Sequence, residues 1–204
     1  MKLFYMPNAC SLGIHIILEE IGSAYELVKI DFGKQQQYSD SYRALNPKSK
    51  VPSLELDKGG MLTEWPAIAF YLAKQYPEKN LLPEVPLAQA RVLETIDYVI
   101  STMHMQGFAR IFRPGNFAFG AAHHEAVKEK GRGIVENGLG IIESMGAPFV
   151  ADDYSIADAA LFYAELWATK RASIGLPEKC ARHYARMLER PAVRRALEQE
   201  QITV

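Results

Sequence analysis

Residues 2–31 read KLFYMPNACSLGIHIILEEIGSAYELVKID, and this stretch decides the fold at the start of the chain. Residues 2–6 and 26–31 contain aromatic and β-branched side chains that predict two short strands. Between them, residues 11–22 carry apolar side chains at nearly helical spacing, and Gly22 is a natural helix stop. A strand, a helix and a strand of this size form a βαβ unit, so we expect a parallel strand pair and a right-handed crossover.

The next segment predicts a second pair of strands. Residues 32–50 are polar and indicate a surface loop with a short irregular helix over residues 41–45. Residues 51–56 and 61–63 are two short runs around a Lys-Gly-Gly turn, a pattern typical of a β-hairpin. The first part of the chain is therefore predicted to be an α/β domain.

A helix and a linker are expected after the hairpin. Residues 64–76 carry apolar side chains at helical spacing, Pro66 suits the first turn, and Pro77 ends the helix. Three prolines lie within residues 77–86, which indicates an interdomain linker.

The rest of the chain shows helical periodicity and no strand pattern. The predicted helices cover residues 87–112, 121–145, 155–171, 177–189 and 191–200. Four glycines weaken the second of these helices by about 0.5–1 kcal/mol each, and close contact between helices would be a reason to keep them. They are Gly131, Gly133, Gly138 and Gly140. The predicted division is residues 1–77 for the α/β domain, 78–86 for the linker and 87–204 for the all-helical domain.

The composition excludes several classes of protein. Hydrophobic residues make up 49% of the 204 residues, which is enough for a sizeable core. The 23 basic residues are balanced by 24 acidic ones, so no nucleic-acid footprint is expected. No apolar run is long enough for a transmembrane helix or a signal peptide. The two cysteines are far apart in sequence, which favours a reducing cytoplasm over a disulfide-built secreted scaffold.

Cys10 lies between the first predicted strand and the first predicted helix. A thiol at that place is close to unpaired backbone N–H groups, whose partial positive charge favours the reactive thiolate. The Ser11 hydroxyl can cap the helix or donate to the sulfur anion. Gly13 stands where a CxxC motif would have its second cysteine, which argues against reversible dithiol oxidation. The alternative is an inert buried cysteine, as free cysteines often are.

A second candidate feature combines a strand edge with an acidic residue. Pro52 opens a predicted strand, where its missing N–H is tolerated. If the Val51–Pro52 bond is cis, the backbone groups of Val51 turn outward and can pair with an extended peptide ligand. Glu64 precedes a predicted helix, where its carboxylate favours the helix dipole and can also receive a ligand ammonium. A helix-capping acid without a ligand is the plain alternative for Glu64.

These features, in this order, resemble the cytosolic glutathione transferases, and the cysteine after the first strand resembles the bacterial beta class in particular. The resemblance is carried by Lys2-Leu3-Phe4-Tyr5, Ala9-Cys10-Ser11-Leu12, Asn46-Pro47-Lys48-Ser49-Lys50-Val51-Pro52, Leu62-Thr63-Glu64, Ala67-Ile68-Ala69-Phe70-Tyr71-Leu72 and Tyr154-Ser155-Ile156-Ala157-Asp158-Ala159. In the last segment, Ser155 and Asp158 also predict a capping box at a helix start. The resemblance spans nearly the whole chain and implies a thioredoxin-like α/β domain followed by an all-helical domain.

The resemblance implies a glutathione site in the first domain. Val51, before a cis Pro52, would bind the cysteinyl backbone of glutathione. Glu64 and the amide of Trp65 would hold the γ-glutamyl end. Two candidates for the glycine carboxylate are Lys34 and Gln35.

The catalytic group and the second substrate are also implied by the resemblance. Cys10 would lie beside the glutathione sulfur as a hydrogen-bond partner or in a mixed disulfide, with Ser11 assisting. Trp167 matches an aromatic residue that lines the acceptor pocket in the beta class. The family is usually homodimeric, with the long helix over residues 87–112 at the interface, and a cytoplasmic role in detoxification is expected.

Several positions depart from the family pattern. Trp65 stands where the family usually has a small residue, often serine, so a hydroxyl contact is lost although the backbone N–H remains. The beta-class segment has asparagine, glutamate, histidine and lysine where this chain has Tyr98, Met103, Met105 and Gln106. His104 is one residue from the expected histidine, and one residue is about 100° around an α-helix, so we expect it to point elsewhere.

The predicted acceptor pocket is apolar, and no metal is expected. Its members are Met103, Met105, Phe108 and Trp167. Helix packing is the alternative for such a stripe of methionine and aromatic residues. The sequence His123-His124-Glu125 lacks the spacing of a zinc helix. No ligand partners are evident for His15 and His183, and the pair of Cys180 and His183 is expected to be structural.

The leading hypothesis is a transferase that joins glutathione to a hydrophobic electrophile. A related hypothesis keeps glutathione but uses Cys10 in a reductase, lyase or isomerase. The rival is a binding protein that keeps the fold without catalysis, for which the altered positions Trp65, Tyr98 and Met105 argue.

Overall fold

The computed structural model describes residues 1–145 and 153–204. These residues form two compact units. The first unit comprises Met1–Leu82 and Leu188–Val204, and the second comprises Pro83–Met187. Residues 188–204 therefore group with the start of the chain in this division. The predicted boundaries at residues 77 and 87 remain a prediction.

The first unit contains a four-stranded mixed sheet. Its strands are β1 (Lys2–Tyr5), β2 (Glu26–Lys29), β3 (Ser53–Glu55) and β4 (Met61–Thr63), in the order β2-β1-β3-β4. β1 and β2 are parallel, whereas β3 is antiparallel to both β1 and β4. The predicted parallel pair and the predicted hairpin are both confirmed.

The helices of the first unit also follow the predicted pattern. They are α1 (Ser11–Ile21), α2 (Asp40–Leu45) and α3 (Trp65–Gln75), with 3₁₀ turns at Gln36–Tyr38 and Pro77–Lys79. α1 ends at Gly22, which adopts φ 74° and donates its N–H to the Leu18 carbonyl. A left-handed residue of this kind is the usual helix stop, and glycine takes it without a Cβ clash. The thioredoxin-like α/β architecture implied by the resemblance is confirmed.

The second unit is helical. It contains α4 (Pro86–Asp97), a π-helix (Tyr98–Phe108), α5 (Ala109–Phe112), α6 (His124–Met145), α7 (Ile156–Lys170) and α8 (Glu178–Glu189), with short 3₁₀ turns at Pro114–Asn116 and Ala121–His123. α7 is buried over almost its whole length. The predicted capping box is confirmed at its start, because the Ser155 N–H donates to Asp158 Oδ2 at 2.7 Å. No helix within these described residues is long and apolar enough to cross a bilayer.

The last helix, α9 (Pro191–Gln199), contacts α1 in the first unit. Arg190 Nε lies 2.6 Å from Glu20 Oε1, and Arg195 Nε lies 2.6 Å from Glu19 Oε2. The apolar side of α9 buries Val193 and Leu197. The helix that carries Cys10 at its start is therefore held along its length by the end of the chain.

Candidate functional site

Cys10 occupies the N-cap of α1 and is partly exposed. Its φ of −60° and ψ of −20° are already helical. The Cys10 Sγ lies 3.5 Å from the Val51 carbonyl oxygen, although the two residues are 41 positions apart. The structure thus brings the predicted thiol, the positive N-terminal end of α1 and the predicted peptide-binding edge together.

Ser11 differs from its expected arrangement. Its side chain is fully buried, and its hydroxyl donates to the Met6 carbonyl oxygen at 3.2 Å. The same hydroxyl oxygen accepts the Met6 N–H at 3.3 Å. Ser11 therefore closes the loop between β1 and α1 instead of capping the helix by its side chain, and a catalytic role for it stays a prediction.

The Val51–Pro52 peptide bond is cis. Lys50, the residue before Val51, is held by two hydrogen bonds. The Tyr42 hydroxyl donates to the Lys50 carbonyl oxygen at 2.7 Å, and the Asn46 amide donates to the same oxygen at 2.8 Å. Tyr42 is buried in the small core that also contains Phe4 and Ile30. The edge next to Cys10 is therefore fixed by the side chain of Tyr42 in α2 and that of Asn46, the C-cap of α2.

Glu64 is the N-cap of α3 and adopts φ 71°, a left-handed value that is costly for a residue with a Cβ. Its carboxylate does not cap the helix. Glu64 Oε1 instead accepts from Lys48 Nζ at 2.7 Å, and the same ammonium donates to Thr63 Oγ1 at 2.9 Å. The side chains of Lys48 and Glu64 are 50% and 61% exposed, so this ion pair is open to a ligand. Sequence reasoning missed Lys48 as a site residue, because nothing in the spacing pairs positions 48 and 64.

Trp65 has the opposite environment. It is only 4% exposed, and its indole Nε1–H donates to the Cys10 carbonyl oxygen at 3.0 Å. The bulky side chain that replaces the family's small residue thus turns into the interior of the first unit.

Lys34 and Gln35 lie on the exposed turn after β2. The Lys34 N–H donates to Asp31 Oδ1 at 3.1 Å, and Gln35 is left-handed with φ 55°. Their contact with a glycine carboxylate stays a prediction. Two surface clefts of the first unit are lined by Tyr25 and its neighbours and contain none of the predicted site residues.

An aromatic cluster in the second unit surrounds Trp167. The centroid of the Trp167 ring lies 4.9 Å from that of His104, 5.1 Å from that of Tyr163 and 5.4 Å from that of Phe108. His104 Nδ1 also lies 3.3 Å from the Tyr163 hydroxyl oxygen. His104 thus contacts Trp167 of the predicted acceptor pocket, and the expectation that it points away from the position of the family's histidine stays a prediction. Tyr98–Phe108 is a π-helix, so the rotation of about 100° per residue in an α-helix does not apply to this segment.

The four predicted pocket residues have different environments. Met103 and Phe108 are fully buried, whereas Met105 is 47% exposed. Met103 packs against α6 at Gly138, where a Cβ would lie 2.6 Å from Met103 Cγ. Phe108 stacks on Phe112 with centroids 5.7 Å apart. Packing accounts for Met103, and the roles of all four in binding a second substrate stay predictions.

His183 lies in a buried acidic cluster. Its Nδ1 lies 2.8 Å from Glu165 Oε2 and its Nε2 lies 3.1 Å from Asp158 Oδ1. Burial alone would lower the pKa of His183, but the charge of Glu165 and hydrogen bonds to both carboxylates outweigh it and raise that pKa to about 9. Burial raises the pKa of Glu165 to about 7, against the opposing charge of His183. Asp158 and Glu165 belong to α7 and His183 to α8, so this contact depends on the tertiary structure.

The two cysteines differ in chemistry. Cys180 is fully buried, and this burial raises the pKa of its thiol to about 12, with the charges of Glu165 and Glu143 adding to the shift. A thiol of that kind stays protonated and unreactive at neutral pH. Cys10 is therefore the candidate nucleophile. Within residues 1–145 and 153–204, no group of three or more His, Cys, Asp or Glu side chains is placed to hold a metal ion.

Comparison with known proteins identifies the family of this chain. The family model described as "Glutathione S-transferase, N-terminal domain" matches residues 1–74. Glutathione S-transferase GstA of Escherichia coli O157:H7 is 38% identical over 207 residues, which covers 98% of each chain. This chain belongs to the glutathione S-transferase family. Identity at this level over 98% of both chains indicates that the two proteins share the same fold.

Solved glutathione transferases have the same fold. A glutathione transferase homologue from Sulfitobacter with bound glutathione superimposes with a TM-score of 0.89 and 27% identity, covering 99% of this chain and 98% of that one. The bacterial beta-class glutathione S-transferase of Sphingomonas chungbukensis gives a TM-score of 0.84 and 32% identity, with full coverage of both chains. Maleylpyruvate isomerase, a zeta-class bacterial glutathione S-transferase, gives 0.85 and 27%, covering 96% of each chain.

Proposed function

We propose that this chain is a glutathione transferase that joins the glutathione sulfur to a hydrophobic electrophile. The observation that carries the proposal is the position of Cys10 Sγ at the start of α1, 3.5 Å from the Val51 carbonyl oxygen. The full-length similarity to a glutathione S-transferase supports the same activity. The glutathione-binding part is proposed to be residues 1–77, and the helical part, residues 87–204, supplies the pocket for the electrophile.

Glutathione binds in this proposal as an extended peptide along the edge formed by Val51. The backbone of Val51 pairs with the cysteinyl unit, as an added strand does at a sheet edge. This pairing brings the substrate sulfur to the positive end of α1, where Cys10 hydrogen-bonds to it. The helix terminus stabilises the thiolate, and binding of both substrates by one protein supplies proximity, so no strong general base is needed.

Lys48 and Glu64 bind the γ-glutamyl end in this proposal. That end carries an α-ammonium and an α-carboxylate on one carbon. Lys48 and Glu64 present the two opposite charges side by side, with the nitrogen and oxygen 2.7 Å apart. Glu64 takes the ammonium, while Lys48 and the backbone N–H of Trp65 take the carboxylate. Lys34 and Gln35 remain the candidates for the glycine carboxylate.

The second substrate and the assembly are proposed from the family. Trp167, Phe108, Met103 and Met105 form the apolar pocket, in which the exposed Met105 is the member that a ligand reaches directly. The chain forms a homodimer through the long helix of residues 87–112, and its place of action is the cytoplasm, where the thiol is abundant and detoxification of electrophiles is needed.

Calorimetric titration with glutathione, followed by conjugation of 1-chloro-2,4-dinitrobenzene, tests the function. We expect binding at millimolar or lower concentration and conjugate formation that depends on the enzyme. Absence of both binding and conjugation at millimolar glutathione would favour a binding protein without this chemistry.

The role of Lys48 is tested with a ligand that lacks its target group. Lys48→Met should weaken glutathione binding about fivefold to tenfold, because an exposed charge-assisted contact is lost. The tripeptide γ-aminobutyryl-Cys-Gly has the amine but no α-carboxylate, so Lys48→Met should leave its affinity unchanged. Lys58→Met, in the exposed turn between β3 and β4, is the control for net charge. Equal weakening for both ligands would contradict the assignment.

The partly exposed Cys10 sulfur also favours a second candidate function, thiol–disulfide exchange. The substrate is a disulfide between glutathione and another thiol. The Cys10 thiolate attacks the glutathione sulfur, forms a mixed disulfide with glutathione and releases the other thiolate. A second glutathione then attacks this mixed disulfide, which releases oxidised glutathione and restores the Cys10 thiolate. Cys10→Ala should abolish this reduction and leave part of the conjugation activity. Unchanged reduction in that variant would reject the role of Cys10.

A further inference from the structure

Trp65 connects the two ends of the proposed glutathione site. Its backbone follows Glu64 at the start of α3, where the γ-glutamyl end is proposed to bind. Its indole Nε1–H reaches the carbonyl oxygen of Cys10, 55 positions earlier in the chain, at 3.0 Å. The side chain is 4% exposed, so this hydrogen bond is shielded from water.

The carbonyl that receives the indole belongs to the first turn of α1. The Gly13 N–H donates to the same oxygen at 3.2 Å. Cys10 adopts φ −60° and ψ −20°, whereas an N-cap residue usually has an extended conformation. Two donors on one carbonyl hold the peptide plane after Cys10, and this plane sets the direction in which the Cys10 side chain leaves the helix.

The sulfur is the group that depends on this plane. The Cys10 thiol donates to the Val51 carbonyl oxygen at 3.5 Å. A small rotation of the Cys10 backbone would remove the sulfur from both Val51 and the helix end. The Val51 carbonyl oxygen accepts only from the protonated thiol, so the thiolate depends on the helix terminus. The field of that terminus falls off within one turn, so moving the sulfur away from it would lower the fraction of thiolate.

We propose that Trp65 is a positioning residue, whose indole N–H fixes the Cys10 backbone so that the sulfur stays between the α1 terminus and Val51. The role rests on the proposed function insofar as Cys10 serves glutathione chemistry. A serine or glycine at position 65 has no side chain long enough to reach the Cys10 carbonyl oxygen. Phenylalanine would fill the space but would donate no hydrogen bond. Tryptophan at position 65 thus adds a link between the proposed γ-glutamyl end and the sulfur end.

The test compares wild type with Trp65→Phe, which keeps an aromatic ring and removes the donor. The readout is the rate of alkylation of Cys10 by iodoacetamide between pH 5 and pH 10, followed by mass spectrometry of the Cys10 peptide. We expect the rate at pH 7 to fall about threefold to tenfold, the range that corresponds to one hydrogen bond. The pH of half-maximal alkylation should rise. A profile within about 1.5-fold of wild type would overturn the proposal.

Ile68→Val is the matched control. Ile68 is fully buried in the same helix, and the change removes one methylene without altering a hydrogen bond. It should lower the unfolding midpoint and leave the alkylation profile unchanged. Trp65→His, which retains a ring N–H, should recover more of the alkylation rate than Trp65→Phe does; equal rates in the two variants would contradict a role for the donor.

A measurement on the unaltered protein keeps the proposal testable if Trp65→Phe does not fold. The indole N–H of Trp65 should exchange with deuterium far more slowly than a free indole and should be slowed further by glutathione. Exchange at the rate of an exposed indole would overturn the proposal. Neither alkylation nor basal exchange requires glutathione binding. If glutathione does not bind but the alkylation profile still depends on Trp65, the proposed function is rejected and the positioning role stands.

Discussion

In the second unit, a buried histidine lies between two buried carboxylates. His183 hydrogen-bonds to Asp158 and Glu165 from its two ring nitrogens, and all three side chains are almost completely buried. Only the imidazolium form can donate to both carboxylates at once. Arg186 Nη2, 3.9 Å from Asp158 Oδ1, is the other cation of this cluster.

The cluster predicts a pH dependence of stability. The folded-state pKa values of His183, about 9, and Glu165, about 7, both lie above the ordinary values, so the folded state binds more protons than the unfolded state. The stabilisation from His183 is complete below about pH 6.5 and is lost as the pH rises through 9. The free energy of unfolding, measured in urea, should therefore fall between pH 6.5 and pH 9.

Removal of the histidine tests the same cluster. His183→Phe should lower the free energy of unfolding by about 3–5 kcal/mol, because it leaves two buried carboxylates without their shared cation. Adding Glu165→Leu should recover part of the loss and flatten the pH dependence. His123→Phe, at an exposed position, is the control. A pH profile that is the same in wild type and in the double variant would show that other groups cause the dependence.

At the scale of elements, the glycines of α6 separate into two kinds. A Cβ on Gly131 would lie 2.8 Å from the Gly107 carbonyl oxygen and 2.9 Å from Arg110 Cβ, so the helices touch backbone to backbone there. Gly133 has nothing within 4 Å of such a Cβ. The close helix contact suggested from the sequence is confirmed for Gly131 and Gly138, whereas Gly133 and Gly140 have open space.

Alanine substitutions at two positions of α6 should therefore change the free energy of unfolding in opposite directions. Gly133→Ala should raise the free energy of unfolding by about 0.5–1 kcal/mol, because alanine has the better helix propensity and space is available. Gly131→Ala should lower it by about 1–3 kcal/mol, because the backbone of the neighbouring helix cannot move away easily. Urea unfolding of the two variants measures both values. Stabilisation by Gly131→Ala would contradict the close contact.

At the scale of the whole molecule, the end of the chain contributes to the loop that carries Cys10. The Glu200 side chain is fully buried, with Oε1 2.9 Å from His15 Nδ1 and Oε2 accepting the Asn8 N–H at 2.9 Å. Asn8 is left-handed with φ 58° and lies two residues before Cys10. A carboxylate from residue 200 thus holds both the loop that leads into α1, at Asn8, and the middle of α1, at His15.

Glu200→Ala should destabilise the protein. It removes an acceptor from the Asn8 N–H and from His15, and loss of a buried hydrogen-bond partner costs about 1–3 kcal/mol. Glu198→Ala, two residues away and exposed, should change the free energy of unfolding by less than about 0.5 kcal/mol. Both variants are compared by urea unfolding at neutral pH, and equal effects would refute a special role for Glu200.

The local rules of the chain were sufficient for most of the elements. Alternation, helical spacing and stop signals such as Gly22 and Pro77 located the strands and helices to within a few residues. They could not foresee the π-helix over Tyr98–Phe108, because its wider turn depends on packing against other helices.

The sequence by itself determined the order of elements, the thiol at the mouth of α1 and the proline at the strand edge, because each depends on neighbours a few residues away. Only the tertiary structure decided which distant groups meet: Trp65 with Cys10, Lys48 with Glu64, and Glu200 with Asn8. The physical reason is that hydrogen bonds and ion pairs act over about 3 Å, a distance that chain separation does not encode.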